Sequence, residues 1–141
     1  MKETLPQIFF KTEERFPEKE AFIYKEEGIY YSLNYKEAGK IIKSFAKGLQ
    51  SLGFGKGDKL ALLSENRPEW AFTDLGGMMA GAVIVPLHTT LNPKAIGNLI
   101  NHSEAKILVV SNSDLLNKVL IVQKKKKKIE KIIFIEEIDQ E

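Results

Sequence analysis

Lys59-Leu60-Ala61-Leu62-Leu63, followed after Ser64-Glu65 by Asn66-Arg67-Pro68-Glu69-Trp70, is the stretch whose reading decides the fold. Lys59–Leu63 is short, apolar and bounded by polar residues, so it reads as a buried strand. Asn66 and Glu69 have capping-box spacing, and Pro68 suits a first helical turn. A strand that passes straight into a capped helix is half of a βαβ unit. The pattern recurs downstream. Val83–Val85 reads as a buried strand stopping at Pro86, and Asn92-Pro93 opens a helix through Ile96, Leu99 and Ile100. Lys106–Val110 is a further strand, Ser111 with Asp114 caps the next helix, and Ile132–Ile135 is a last strand. Alternation of this kind implies a mostly parallel sheet with helices on both faces, joined by right-handed crossovers.

Upstream the signals change. Thr4 with Gln7 makes a capping box for a helix with Leu5, Ile8 and Phe9 on its apolar side, ending before Pro17. Ala21–Tyr24 and Ile29–Leu33 are strand-like, and Lys25–Gly28 joins them as a hairpin. Asn34 with Glu37 caps a long helix in which Ala38, Ile41, Ile42, Phe45, Ala46, Leu49 and Leu52 recur at helical spacing. Gly53 is its stop, because glycine accepts the left-handed conformation after a helix. The helix after Pro68 carries Trp70, Phe72, Leu75, Met78 and Met79, so little polar face remains and burial is expected. Its Gly76 and Gly77 weaken it by roughly 1 kcal/mol each relative to alanine. Close approach of a neighbouring element is one reason to keep them. The fold class expected is α/β: an N-terminal hairpin, then a parallel sheet. Residues 1–141 are expected to form one incomplete domain with no linker.

The bulk composition narrows function. The chain has 141 residues with no cysteine, which excludes disulfides and thiolate metal sites and fits a reducing compartment. Its 21 basic and 19 acidic residues nearly cancel, so no general field draws nucleic acid. Met78–Leu87 is the most apolar run, but a spanning helix needs about 20 apolar residues. No signal peptide is expected at the N-terminus, where Lys11, Glu13 and Glu14 interrupt any apolar core.

Gly57-Asp58-Lys59-Leu60-Ala61-Leu62-Leu63-Ser64-Glu65-Asn66-Arg67-Pro68-Glu69-Trp70 resembles the first part of an adenylate-forming enzyme. The likeness continues through Ala80-Gly81-Ala82-Val83-Ile84-Val85-Pro86-Leu87, Thr90-Leu91-Asn92-Pro93 and Ile100-Asn101-His102-Ser103-Glu104-Ala105-Lys106. Upstream, Tyr35-Lys36-Glu37, Gly48-Leu49 and Leu52-Gly53 match as well. The Glu-Asn-Arg-Pro-Glu-Trp form resembles the long-chain fatty-acid–CoA ligase branch of AMP-forming acyl-CoA synthetases. The resemblance implies ATP, Mg²⁺ and coenzyme A for the full-length enzyme, with a fatty acid as co-substrate. Family members use a Gly/Ser/Thr-rich phosphate loop, an acidic metal ligand, a ribose-binding Asp and a Lys on a mobile C-terminal domain. None of these is found in this sequence, so no catalytic or metal-binding residue is expected here. The chain stops at Asp139-Gln140-Glu141, before the phosphate-loop position, and is expected to be an N-terminal fragment that is inactive alone.

Each remaining feature has two readings. The cluster Gly53-Phe54-Gly55-Lys56-Gly57-Asp58 runs from helix into strand, the reverse of a phosphate loop, and reads as a turn. His88 and Thr90 are the candidates for contact with substrate or coenzyme A, although a lone histidine is more often a surface residue. His102 suits a helix end, where an imidazolium meets the carbonyl dipole. Lys124–Lys128 is either a solvated run or a contact with anionic lipid, which would make an otherwise cytoplasmic protein peripheral at the membrane. The N-terminal helix either packs on its own domain or reaches to a second subunit as a homodimer arm. A non-enzymatic assembly module is the competing function, because an incomplete sheet leaves an open edge.

Overall fold

Local chemistry sets most element boundaries in the computed structural model, which describes residues 3–123 and 129–136. Lys124–Lys128 and Asp139-Gln140-Glu141 lie outside the described residues. The chain divides into two compact units, Met1–Gly55 with Arg67–Gly81, and Lys56–Asn66 with Ala82–Glu141.

The first unit holds helix α1 (Leu5–Arg15), hairpin strands β1 (Glu20–Glu26) and β2 (Ile29–Asn34), and helices α2 (Tyr35–Ser51) and α3 (Pro68–Ala80). Two of the three expected capping boxes form, those of α1 and α2. Gln7 and Glu37 return their side chains to the backbone N–H groups of Thr4 and Asn34, at 2.8 and 2.9 Å. The hairpin closes on Glu27-Gly28, both at positive φ (48° and 87°), the type I′ geometry that suits strand twist. Gly53, at φ 84°, ends α2 as expected.

Two expectations in this unit fail. Leu5 and Ile8 face solvent; α1 instead turns Pro6, Phe9, Phe10 and Glu13 inward. Two phenylalanines bury more apolar area than the two aliphatics would, so the rings set the helix's rotation. The Asn66–Glu69 box does not form either. Helix α3 starts one residue later, with Arg67 as N-cap and no side-chain cap bond. That puts Glu69 at the second helical position, where it accepts from Arg67 Nε at 2.9 Å. The core of the unit is Ala38, Ile42 and Phe72, with Phe9, Phe10, Phe22, Leu33 and Leu75 packed around them. Phe22 meets Phe72 edge-on at 5.1 Å.

The second unit is a four-stranded parallel sheet in the order β4-β3-β5-β6. Its strands are β3 (Lys59–Leu63), β4 (Val83–Leu87), β5 (Ile107–Val110) and β6 (Lys131–Phe134), with helices α4 (Pro93–Ser103) and α5 (Ser113–Gln123). Leu60–Leu63 and all of β5 are buried, as central parallel strands must be. Ala61, Leu63, Leu108 and Val110 share one core with Ile96 and Ile100 of α4 and Leu115 and Val119 of α5. Strand β4 departs from expectation. It runs through Pro86 to Leu87, and most of it is not buried: Val83 is 52% exposed. It is an edge strand, where the N–H that proline lacks is not needed. The Ser111–Asp114 cap also gives way. Helix α5 begins at Ser113, and Asn112 Oδ1 accepts the Leu115 N–H at 3.0 Å.

The glycine expectation for α3 holds at Gly76. A Cβ there would lie 2.9 Å from the Ile42 carbonyl oxygen and 2.9 Å from Phe45 Cδ1, so α2 and α3 cross at backbone contact. Gly76→Ala should therefore destabilise the protein by roughly 1–3 kcal/mol. Gly48→Ala, which meets nothing within 4 Å on α2, should stabilise it by roughly 0.5–1 kcal/mol. Urea-unfolding midpoints of the two variants check the opposite signs.

Candidate functional site at the carboxyl edge of the sheet

Strand order locates the site. Sequence moves outward from β3 to β4, then returns to the other side of β3 to lay down β5 and β6. The reversal makes the carboxyl ends of β3 and β5 a topological switch point, where open α/β sheets open a crevice for ligands. Three side chains meet there. Ser111, fully buried at the end of β5, donates its hydroxyl to Glu65 Oε2. Asn112 Nδ2 donates to Glu65 Oε1 at 2.8 Å. Asn112 thus caps α5 with its oxygen and holds Glu65 with its nitrogen. Glu65 is itself exposed, and its carboxylate lies beside the N-terminus of α5, where an anion is favourably placed.

The loop after β4 carries the residues singled out in the sequence. His88 and Thr90 are both exposed. His88 contributes its carbonyl oxygen, which accepts the Leu91 N–H at 3.2 Å. The loop's strongest anchor is Lys118, whose Nζ donates to the Thr89 carbonyl at 2.8 Å. His102 occupies the last turn of α4, as expected. Gly53–Asp58 forms the turn between α2 and β3.

The opposite, amino edge of the sheet holds a depression of about 400 Å³ lined by Gly57, Asp58, Lys59, Glu104, Lys106 and Glu130. Its charges pair with each other: Lys106 Nζ with Asp58 at 2.9 Å and Lys59 Nζ with Glu104 at 3.4 Å. The hydrogen bond and charge of Asp58 raise the Lys106 pKa. Such exposed pairs are ordinary solvated neighbours, at the end of a parallel sheet that does not take ligands.

Among the described residues no group of three or more His, Cys, Asp or Glu is placed to hold a metal ion. No helix among them is long and apolar enough to cross a membrane. Glu65 and Asn112 went unremarked as a pair because strand order, not spacing, brings them together. The signal available was a polar residue just after each of two apolar strands.

The described residues thus give an α/β fold of an antiparallel hairpin and a parallel sheet in the order 4-3-5-6. A model of the AMP-binding enzyme family matches residues 9–141, and the chain belongs to that family. The long-chain-fatty-acid–CoA ligase ACSBG1 of Bos taurus is 29% identical over 121 residues, 86% of this chain and 17% of that protein. The 4-hydroxybutyrate–CoA ligase 2 of Metallosphaera sedula is 36% identical over 108 residues, 77% of this chain and 19% of that protein. The inhibitor-bound N-terminal domain of FACL13 from Mycobacterium tuberculosis superposes on 94% of this chain and 33% of that one. Its TM-score is 0.84 at 19% identity, a likeness of fold. The chain thus spans less than a fifth of the length of these two curated relatives.

Asn112→Ala removes both the α5 cap and a Glu65 partner, and should cost roughly 1–3 kcal/mol. Asn66→Ala, displaced from the cap position, should stay within about 0.5 kcal/mol of the parent. Thermal denaturation of the pair checks which asparagine caps. A second prediction concerns Asp74 on α3, whose carboxyl pKa is raised by burial. The folded state therefore holds the proton more tightly than the unfolded chain. The charged carboxylate costs stability above the folded pKa, and that cost vanishes below the unfolded value. Asp74→Asn should raise the melting temperature at pH 7, and the gain should shrink as pH falls toward about 4.

Proposed function

We propose that this chain is the N-terminal portion of an AMP-forming acyl-CoA ligase of the long-chain fatty-acid type, and that it supplies scaffold rather than reacting groups. In the reaction the family resemblance implies, a carboxylate oxygen attacks the α-phosphorus of ATP and pyrophosphate leaves. The thiol of coenzyme A then attacks the acyl carbon and AMP leaves. Both steps need cations and N–H donors that offset developing anionic charge. What supports the scaffold role is the carboxylate at the switch point: Glu65, itself anionic, accepts from Ser111 and Asn112 where a phosphate would need donors. That observation carries the scaffold reading, and no step is assigned to this chain's residues.

Family membership and the acyl-CoA ligase relatives support the reaction class. The Glu65-Asn66-Arg67-Pro68-Glu69-Trp70 segment and the ACSBG1 match support the long-chain assignment. In this reading residues 1–141 form one incomplete domain of a cytoplasmic enzyme that uses ATP, Mg²⁺, a fatty acid and coenzyme A. The test has two arms. The isolated chain, given ATP, Mg²⁺ and a long-chain fatty acid, should release no pyrophosphate above background. Grafted in place of the matching segment of the Metallosphaera sedula ligase, it should leave acyl-adenylate formation and that enzyme's substrate preference in place. Acyl-adenylate turnover by the isolated chain would overturn the scaffold role. So would a folded graft that has lost turnover.

A second reading has one observation behind it. Strand β4 ends the sheet with Val83 half exposed and no charged residue along Val83–Leu87. Such an edge suits an assembly module that pairs with another chain. A stable monomer by light scattering across a hundredfold concentration range counts against that reading.

A further inference from the structure

Helix α1 is held by a device that packing alone does not require. Three of its inward residues are apolar, but the fourth is Glu13, whose side chain is only 16% exposed. Its carboxylate lies directly over Gly39 of α2. A Cβ on Gly39 would stand 2.5 Å from Glu13 Oε2 and 2.7 Å from its carboxyl carbon. Glycine at this position opens a slot in the surface of α2, and the slot is filled by a charge from α1.

The charge has a partner built beside the slot. Lys43, one turn along α2 from Gly39, donates from Nζ to both Glu13 oxygens, at 3.3 and 3.1 Å. The same Nζ sits 4.5 Å from the centre of the Phe10 ring. Glu13, Lys43 and Phe10 therefore form one closed set across two helices. Phe9 completes the seat, 5.4 Å from the Tyr35 ring at the start of α2. Loss of any one member loosens the others, because a carboxylate this enclosed without its cation is unfavourable.

The connection to β1 is short and tied down. Lys36 N–H donates to the Pro17 carbonyl at 3.0 Å, and Tyr35 N–H donates to the Lys19 carbonyl at 3.0 Å. These two bonds pin the connector between α1 and β1 to the first turn of α2.

We propose that α1 is a releasable strap on its own chain, latched by Glu13 seated over Gly39 and gripped by Lys43. Release opens α1 as one unit while the rest of the first unit stays folded. Because Lys43 is half exposed, salt screens the latch and weakens it.

Hydrogen exchange of the 141-residue chain, read by mass spectrometry on peptides covering α1, α3 and β5, tests this. Glu13→Gln keeps the shape and removes the charge. It should speed exchange in α1 roughly fivefold at low salt, without change in β5. Lys43→Met, which keeps an apolar stem on Phe10, should do the same, and the double variant should add little. In 1 M NaCl the parent should approach the Glu13→Gln rate. Unchanged α1 exchange in both single variants would overturn the proposal. Equal acceleration in α1, α3 and β5 would also overturn it, because α1 would then open only with global unfolding. If a variant fails to fold, the salt dependence of the parent's α1 exchange decides alone: no dependence overturns the latch.

Discussion

The structure depends on one constraint: β3 and β5 lie side by side in a parallel ladder and are covered on both faces. Parallel strands leave no solvated face, so the interior pair must be apolar at every position. Leu60–Leu63 and Ile107–Val110 meet that demand without a polar residue among them. The first charged or polar side chains come directly after the strands, at Ser64-Glu65 and Ser111-Asn112, where the sheet reaches water. The requirement that buries the strands therefore also gathers polar groups at their carboxyl ends. Strand order then turns two such ends into neighbours. The meeting of Glu65, Ser111 and Asn112 is a consequence of burial plus topology, and the buried Ser111 hydroxyl finds its acceptor in Glu65.

How much of this was legible in the sequence follows from the range of each interaction. Thr4 with Gln7, Asn34 with Glu37, and Asn92 with Pro93 act within one turn of helix, and all three boundaries came out as read. The hairpin turn at Glu27-Gly28 and the stop at Gly53 are equally local. Misreadings arose where two local solutions compete and a distant contact chooses. Asn66 and Ser111 each had the right spacing for a cap, yet Arg67 and Asn112 took the positions, and Ser111 was drawn to a carboxylate 46 residues away. Leu5 and Ile8 had helical spacing, but the rotation of α1 was set by rings packing against α2 and α3. Pro86 was read as a strand end because its neighbours on an edge were unknown. The candidate site was not legible in any of its members as a site. His88 and Thr90 were picked for residue type, whereas the side chains that meet are Glu65, Ser111 and Asn112.

The occupied switch point bears on what this part of an AMP-binding enzyme does. A crevice meant for a nucleotide phosphate would present backbone N–H groups and glycine, with no anion of its own. Here the space beside the α5 cap is taken by a carboxylate with both oxygens engaged. Bringing a triphosphate to that point would set like charges together and strand the Ser111 and Asn112 donors. β3, β5 and α5 are tied at one corner by two side-chain hydrogen bonds and one helix cap. In the scaffold role proposed above, such a corner would hold the neighbouring loops at constant spacing.

Rigidity at the sheet contrasts with the way α1 is held, and the contrast has a physical basis. The sheet is secured chiefly by apolar burial, which salt does not screen. The strap relies in part on an ion pair whose cation is half in water. Stability of a polypeptide is graded along its length in this manner, with opening free energies lowest where contacts are few and solvated. Gly39 sharpens the grading. Any larger residue there would crowd the carboxylate. A leucine in place of Glu13 would bury more apolar area and grip harder. Glutamate over glycine gives up some of that grip and makes the closed state depend on ionic conditions, which is the property that distinguishes a latch from a core.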